Sequence, residues 1–263
     1  MKNTQMYPTD LTDRQWDCIK DLIPPAKPGG HPRTLEMRAV VNAIWYLLVT
    51  GCQWRMLPRE YPAWQSVYTY FRQWRDDGTW QRMHDTLRAH VRERAGRHKH
   101  PTAGALDSQS VKTSQVPGER GYDAGKKVKG RKRHMVTDTL GSMLALQVHE
   151  ANIQDVHGAV PLLKHIGLIF PKLRHIFADR VYRGKQLPQA LAEFGKWFIE
   201  IVTRSEKSGT FKPEPKRWVV ERTFAWLNRC RRLSKDFEET IASAEAWVLL
   251  ASIRVLSRRL ARD

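Results

Sequence analysis

The feature that most limits what this chain can fold into is a change of hydrophobic period at Ala103. Before it, apolar residues recur every three and four positions, the spacing of amphipathic helices; after it, short apolar runs alternate with helical stretches. Thr12 and Gln15 form a capping-box pattern at the head of DRQWDCIKDLI, and Pro24-Pro25 ends that helix. Thr34 is placed to cap a second helix carrying Met37, Val41, Ile44, Trp45 and Leu48, and Gly51 stops it. Val67, Tyr70, Phe71 and Trp74 mark a third helix from which Arg72 and Arg75 project; Trp80, Met83, Leu87 and Val91 mark a fourth. Residues 1–94 therefore read as an all-helical N-terminal domain of helix–turn–helix character, with the Arg72/Arg75 helix the candidate for DNA groove contact. A plain helical bundle with solvated arginines is the alternative. The small, basic stretch 95–103 reads as a linker.

Residues 104–263 read differently. Strands are expected in GALDSQSVKT, RKRHMVTDT, SMLALQVHEA, KLRHIFADRVY and WFIEIVTR, with a turn at Leu140-Gly141-Ser142. Helices are expected in NIQDVHGAVPLLKHIG, in GKQLPQALAEFG and over 216–238. The order β-β-β-α-β-α-β-α is an α/β layout: an antiparallel trio, then crossover units, making a mixed five-stranded sheet with helices. A final helix over 241–260, apolar on nearly all sides from Ala246 to Leu256, suggests burial against the sheet or a second subunit.

Three acids stand out in that layout. Asp107 ends the first strand, Asp179 lies at the end of the fourth, and Glu221 sits on the helix after the fifth. Ligands of open α/β sheets gather beyond strand ends at switch points, which makes the first and fourth strands candidate neighbours. An aspartate flanked by apolar residues, as in Ala105-Leu106-Asp107 and Phe177-Ala178-Asp179, is costly to bury unpaired. A shared cation removes that cost, and carboxylate oxygens suit Mg²⁺. Strand alternation places Arg180 on the opposite sheet face from Asp179. Asp123, Asp138 and Asp155 have ordinary structural readings at a loop, a hairpin and a helix start. Glu221 has one too, as a surface partner of Arg217 or Arg229.

Charge identifies the kind of partner. The formal net charge is +18 and the pI near 10.1, an excess that favours a polyanion and above all nucleic acid. In the loop 114–133, Lys126, Lys127, Lys129, Arg131, Lys132 and Arg133 crowd together among glycines, suited to phosphate contact or simply to solubility. The segment SEKSGTFKPEPKR has the same two readings. On the helix over 216–238, Arg217, Arg229, Arg232 and Lys235 share the stripe of Glu221 or its edge, and Arg222 also borders it. Cys18, Cys52 and Cys230 lack metal-ligand spacing and read as reduced thiols. Neither a signal peptide nor a bilayer-length apolar run is visible, so a cytoplasmic, nucleoid-associated protein without a membrane partner is expected.

The motifs LDSQSVKT, GYDAGKKVKGRKRH, ADRVYRGK and RWVVERTFAWLNRCRRLSKDFE resemble bacterial insertion-sequence transposases of the DDE type, closest to the insertion-sequence family numbered five. DLTDRQW, PPAKPGGHPRT, TGCQWRMLP and VYTYFRQWRDDGTW are similar to that family's N-terminal helical region. The resemblance implies an RNase H-like catalytic core with Asp107, Asp179 and Glu221 as both catalytic triad and metal ligands. It further implies two Mg²⁺ ions, with Mn²⁺ able to substitute, and cleavage at element ends followed by 3′-hydroxyl transfer to target DNA. The partners implied are double-stranded DNA, as inverted-repeat ends and target, and further copies of the chain on that DNA. A nuclease on the same core, or an inactive DNA-binding derivative, is the alternative.

Overall fold

The computed structural model describes residues 5–26, 29, 32–194, 197–202, 216 and 218–262. Helix α1 (Asp13–Asp17) opens on the expected box: the Gln15 amide donates to the Thr12 hydroxyl and the Thr12 amide to the Gln15 side chain, both at 3.2 Å. Helix α2 (Met37–Thr50) starts from Glu36 with no side-chain cap, so Thr34 does not serve as one. It ends at Gly51, whose φ of 72° is left-handed; a Cβ there would also lie 3.2 Å from the Arg231 and Arg232 backbone. Conformation and space both demand glycine at that position. Helices α3 (Trp64–Asp76) and α4 (Thr79–Arg94) bury the apolar faces their spacing marked.

The strands are β1 (Ala103–Lys112), β2 (Gly121–Asp123), β3 (Val128–Asp138), β4 (Met143–Glu150), β5 (His175–Ala178) and β6 (Phe198–Ile201). Helix α5 (Asp155–Ile169) follows β4, α6 (Gln186–Leu191) follows β5, and α7 (Trp218–Leu227) and α8 (Ile241–Leu260) close the chain. The chain divides into two compact units, one of residues 1–94, 227–234 and 246–263, the other of 95–226 and 235–245.

The regular elements among the first unit's described residues are all helices. It is also discontinuous in sequence, whereas a simple division at the linker was expected. Most of α8 belongs to it, not to the sheet, because Trp247 stacks on Phe71 with ring centroids 4.7 Å apart and α8 fills the space beside α4. Arg232 lies in the same aromatic cluster, its guanidinium 4.3 Å from the Trp247 ring and donating to the Cys52 carbonyl at 3.1 Å. The helix expected over 216–238 thus stops at Leu227. Beyond it, Cys230 and Leu233 are buried at a 3₁₀ turn (Arg231–Leu233).

The second unit is built on a six-stranded sheet of order β2-β3-β1-β5-β6, with β4 also paired to β3. The three long strands are antiparallel, β1 pairing with β3 and β3 with β4, while β5 joins β1 in parallel and β6 joins β5 in parallel. The expected mixed sheet with helices is present, enlarged by the short β2. The hairpin turn between β3 and β4 is closed by Asp138, whose carboxylate accepts from the Leu140 and Ser142 amides at 2.9 and 2.8 Å. Helix α5 covers one sheet face with Leu162, Leu163 and Ile166 against Leu106, Val136 and Ile176. On the other face, Arg131 reaches buried Asp236 at 3.2 Å and the carbonyls of Glu238 and Glu239. The three cysteines are free, and no described helix is long and apolar enough to cross a membrane.

Candidate active site

Asp107 and Asp179 meet through the sheet. The β1–β5 register pairs Ala105 with Phe177, so each aspartate lies two residues beyond the last paired position on its own strand, where neighbouring backbones are about 5 Å apart. From there the strands part: β1 runs on beside β3, while the chain after Ala178 turns away into a 3₁₀ turn (Arg180–Tyr182). Asp179 caps that turn, its carboxylate accepting from the Val181 amide at 3.0 Å. Arg180 is therefore not on a strand, and the alternation that placed it opposite Asp179 does not apply.

Glu221 is exposed in the first turn of α7. Thr223 fixes that helix to the β3–β4 turn by donating to the Gly141 carbonyl at 3.0 Å. Electrostatics link all three acids. The Asp107 carboxyl is pushed up to about 7, first by burial and then by the negative charges of Asp179 and Glu221. A hydrogen bond from the Ser108 amide, at 2.7 Å, and the charge of Lys126 work in the opposite direction. Among the described residues, however, no three His, Cys, Asp or Glu side chains already stand close enough together to hold a metal ion. The acids are near enough to repel one another and too far apart to ligate jointly as they stand.

Behind Asp107, on the opposite face of β1, lies a compensated network. Ser108 donates to Asp155 at 2.9 Å, and the Lys132 ammonium lies 2.8 Å from Asp155 and 3.4 Å from Asp123. Lys126 donates to the Ser108 hydroxyl at 3.1 Å, and Ser110 to Asp123 at 2.6 Å. Burial alone would raise Asp155, but the Lys132 hydrogen bond and the Lys126 charge outweigh it and hold the carboxyl below its usual range. Asp123 is likewise held at about 2, burial being overcome by the Ser110 and Lys126-amide bonds and by the lysine charges. Next to them His134 and His149 share a ring-to-ring bond of 2.7 Å, and burial drives His134 down to about 3, so it stays neutral.

The expected DNA contacts divide by burial. Lys126, Lys127 and Lys129 are exposed around the β2–β3 turn, and Arg72, Arg229 and Lys235 are exposed as well. Arg75 is half-buried and bonded to Asp76 at 2.7 Å. Arg131, Lys132 and Arg133 correct the sequence reading: β3 is an interior strand paired on both sides, and all three side chains are buried. Arg131 and Lys132 spend their charge on internal carboxylates, leaving none for phosphate. Arg232 is corrected too, being buried among tryptophans of the first unit. Arg217 and the basic segment 203–215 lie outside the described residues. The sequence reading missed Ser108, Asp155 and Lys126 as neighbours of the candidate acid. Its one signal for them was that Ser108 is adjacent to Asp107.

Comparison with known proteins identifies the family. Residues 11–84 match the family described as "Putative transposase of IS4/5 family", and residues 98–256 match the family described as "Transposase DDE domain". The chain is 38% identical over 117 residues to the "Putative transposase for insertion sequence element IS402" of Burkholderia cepacia, covering 41% of this chain and 54% of that protein. It is 33% identical over 108 residues to the "Insertion element IS402 uncharacterized 16.2 kDa protein" of the same organism, covering 39% of this chain and 72% of that one. The match thus spans about half the length of the first of these relatives. A solved structure, the Mos1 mariner paired end complex with Mn, aligns over 94% of this chain and 84% of its own at 11% identity. Its TM-score of 0.31 is too low to establish a shared fold.

Proposed function

This chain belongs to the transposase DDE domain family, and on that premise we propose that it is a DNA transposase. It cuts at the ends of an insertion sequence and joins the freed 3′-hydroxyl to target DNA. The observation that carries the reading is the electrostatic neighbourhood of Asp107, Asp179 and Glu221, where burial first, and then the charges of the other two acids, lift the Asp107 carboxyl to about 7. Such a cluster is electrostatically unfavourable in isolation and becomes favourable around a cation. Its oxygen donors fit Mg²⁺, with Mn²⁺ as a substitute. Glu221, exposed on α7, would complete the ligand set.

When bound, a pair of such ions supplies charge stabilisation for the scissile phosphate and acidifies the attacking oxygen. The chain's own residues do the rest. Asp107 must be ionised to ligate, and Lys126, anchored on Ser108 beside it, favours that ionisation. Asp155 and Lys132 hold Ser108 and hence the β1 backbone from behind. Lys127 and Lys129 meet phosphates near the site, while Arg72 and Arg75 on α3 contact the element end in the DNA-binding first unit. The antiparallel trio with two parallel strands on the free edge of β1 suits an RNase H-like core. Inverted-repeat ends, target duplex and a homo-oligomer on DNA complete the proposal.

The test is a cleavage and strand-transfer assay on the native element ends, with and without Mg²⁺ or Mn²⁺. Metal-dependent joined products are expected. Hydrolysis without joining would reassign the protein as a nuclease, and binding without cleavage would leave a DNA-binding derivative.

A further inference from the structure

The surface beyond the end of β1 carries an open pocket of about 460 Å³, in the size range of small-ligand sites. Lys112, Ser114, Arg120, Tyr122, Lys127 and Lys129 are among the residues that line it. Among the described residues no carboxylate pairs with Lys112, Arg120, Lys127 or Lys129, in contrast to Arg131 and Lys132 a few positions away. Arg120 is aimed by donating to the Ser114 carbonyl at 3.4 Å, and the buried Ser114 hydroxyl has no hydrogen-bond partner. Four uncompensated cations around one concavity repel each other and call for a polyanion.

Tyr122 distinguishes this pocket from a simple charged patch. It is 55% exposed, whereas its neighbour Asp123 is pinned inward by Ser110, by the Lys126 amide and by Lys132. Because successive side chains of a strand point to opposite faces, anchoring Asp123 fixes Tyr122 outward. The ring stands directly across from Lys129 in the β2–β3 register. The adjoining turn is itself constrained, since Lys127 adopts a left-handed φ of 53° that a non-glycine residue rarely takes. A single exposed tyrosine is unremarkable on a protein surface. A rigidly presented aromatic ring ringed by unpaired cations is the composition of a single-strand nucleic-acid platform, where a base stacks and cations follow the backbone.

We propose that this pocket binds an unpaired DNA nucleotide, with its base stacked on Tyr122 and its flanking phosphates on Lys112, Arg120, Lys127 and Lys129. The inference rests on the DNA-transposase reading and specifies which form of DNA the second unit holds. From Asp107 to Lys112 is five residues of strand, about 17 Å, which about five stacked nucleotides cover. Lys126 bridges the gap, since it touches Ser108 at one end and adjoins Lys127 at the other. A strand frayed at the element end would therefore run from the candidate acids into the pocket.

The experiment compares the full-length protein with its Tyr122→Ala, Tyr122→Phe and Lys112→Gln/Lys127→Gln variants in metal-free buffer at fixed salt, so that no DNA is cut. Fluorescence anisotropy would report affinity for a short oligothymidylate and for a blunt duplex, and thermal melting would check the fold. Tyr122→Ala is expected to lose about tenfold on the oligothymidylate with little change on the duplex, and Tyr122→Phe to restore it. The double lysine variant should weaken the oligothymidylate as well. A Tyr122→Ala protein that melts normally and binds both DNAs like the wild type would overturn the stacking assignment, as would an equal loss on both. A wild-type protein that bound neither DNA would instead overturn the DNA reading itself.

Discussion

Two faces of one strand handle negative charge in opposite ways. On one side of β1, Asp107 faces Asp179 and Glu221, and burial plus their repulsion pushes its carboxyl up to about 7. On the other side, beginning at the very next residue, Ser108 meets Asp155, which Lys132 and Lys126 hold below the ordinary carboxylate range. Both environments are partly desolvated, so burial alone does not set the difference. Nearby charge differs as well: at Asp155 the lysines oppose the effect of burial, whereas at Asp107 the charges of Asp179 and Glu221 add to it and Lys126 works against them. The lysine-closed face reads as architecture and the acid-rich face as a candidate site.

The comparison is tested most severely by removing one charged group from each face. Asp107→Asn, Asp179→Asn and Glu221→Gln should each lower strand cleavage by orders of magnitude while leaving DNA binding intact. Wild-type rates in any one of them would remove that residue from the metal site. Lys132→Met should act on folding instead, leaving Asp155 and Asp123 without their shared cation. Loss of a buried partner of this kind costs about 3–5 kcal/mol, measurable as a lower urea midpoint. An unaltered midpoint would show that the lysine-closed face is not structural.

A pH series sharpens the contrast. A carboxyl raised in the folded state keeps a proton that the unfolded chain has lost, so the wild type should lose stability as pH rises from about 4 toward about 7. Asp107→Asn has no such dependence. Its melting temperature should exceed that of the wild type by a margin that grows over this interval and is constant above it. A margin independent of pH would mean that the Asp107 carboxyl is not raised in the folded protein.

Smaller effects are expected from exposed charge. Neutralising Lys126, Lys127 and Lys129 together should reduce the slope of log affinity against log salt by about 2–3, at roughly 0.9 for each phosphate that no longer meets a cation. An unchanged slope would return the turn to a solubilising role. The smallest effect belongs to Lys20→Ala, which breaks an exposed pair with Asp17 at 2.7 Å. That length matches the buried Lys132–Asp155 pair at 2.8 Å, yet the melting temperature should not move, because water screens the one and not the other. Equal losses from the two pairs would contradict the role given to burial.

Much of the fold was legible in the residues themselves. The Thr12 capping box, the Gly51 stop, the hairpin at Gly141 and the apolar faces of α3 and α4 follow from local chemistry and periodicity, which act within a few residues. The sequence by itself also determined the basic character of the chain and singled out three acids. Yet Asp107, expected at the end of the first strand, lies in the middle of β1, where its pairing with β3 continues to Lys112. Only the tertiary structure decided that β1 and β5 are parallel neighbours, and so that Asp107 and Asp179 meet. It decided, too, which cations serve the interior. Lys129 and Arg131 are two residues apart on β3 and look alike in sequence, but one is exposed and the other pairs with Asp236, 105 positions away. The helix bearing Glu221 ends at Leu227, although its amphipathic pattern runs on to Phe237, because Cys230, Arg232 and Leu233 find their burial in the first unit. Periodicity says that a face is to be buried. What buries it, and which charges are neutralised there, depends on segments distant in the chain that only the folded structure brings into contact.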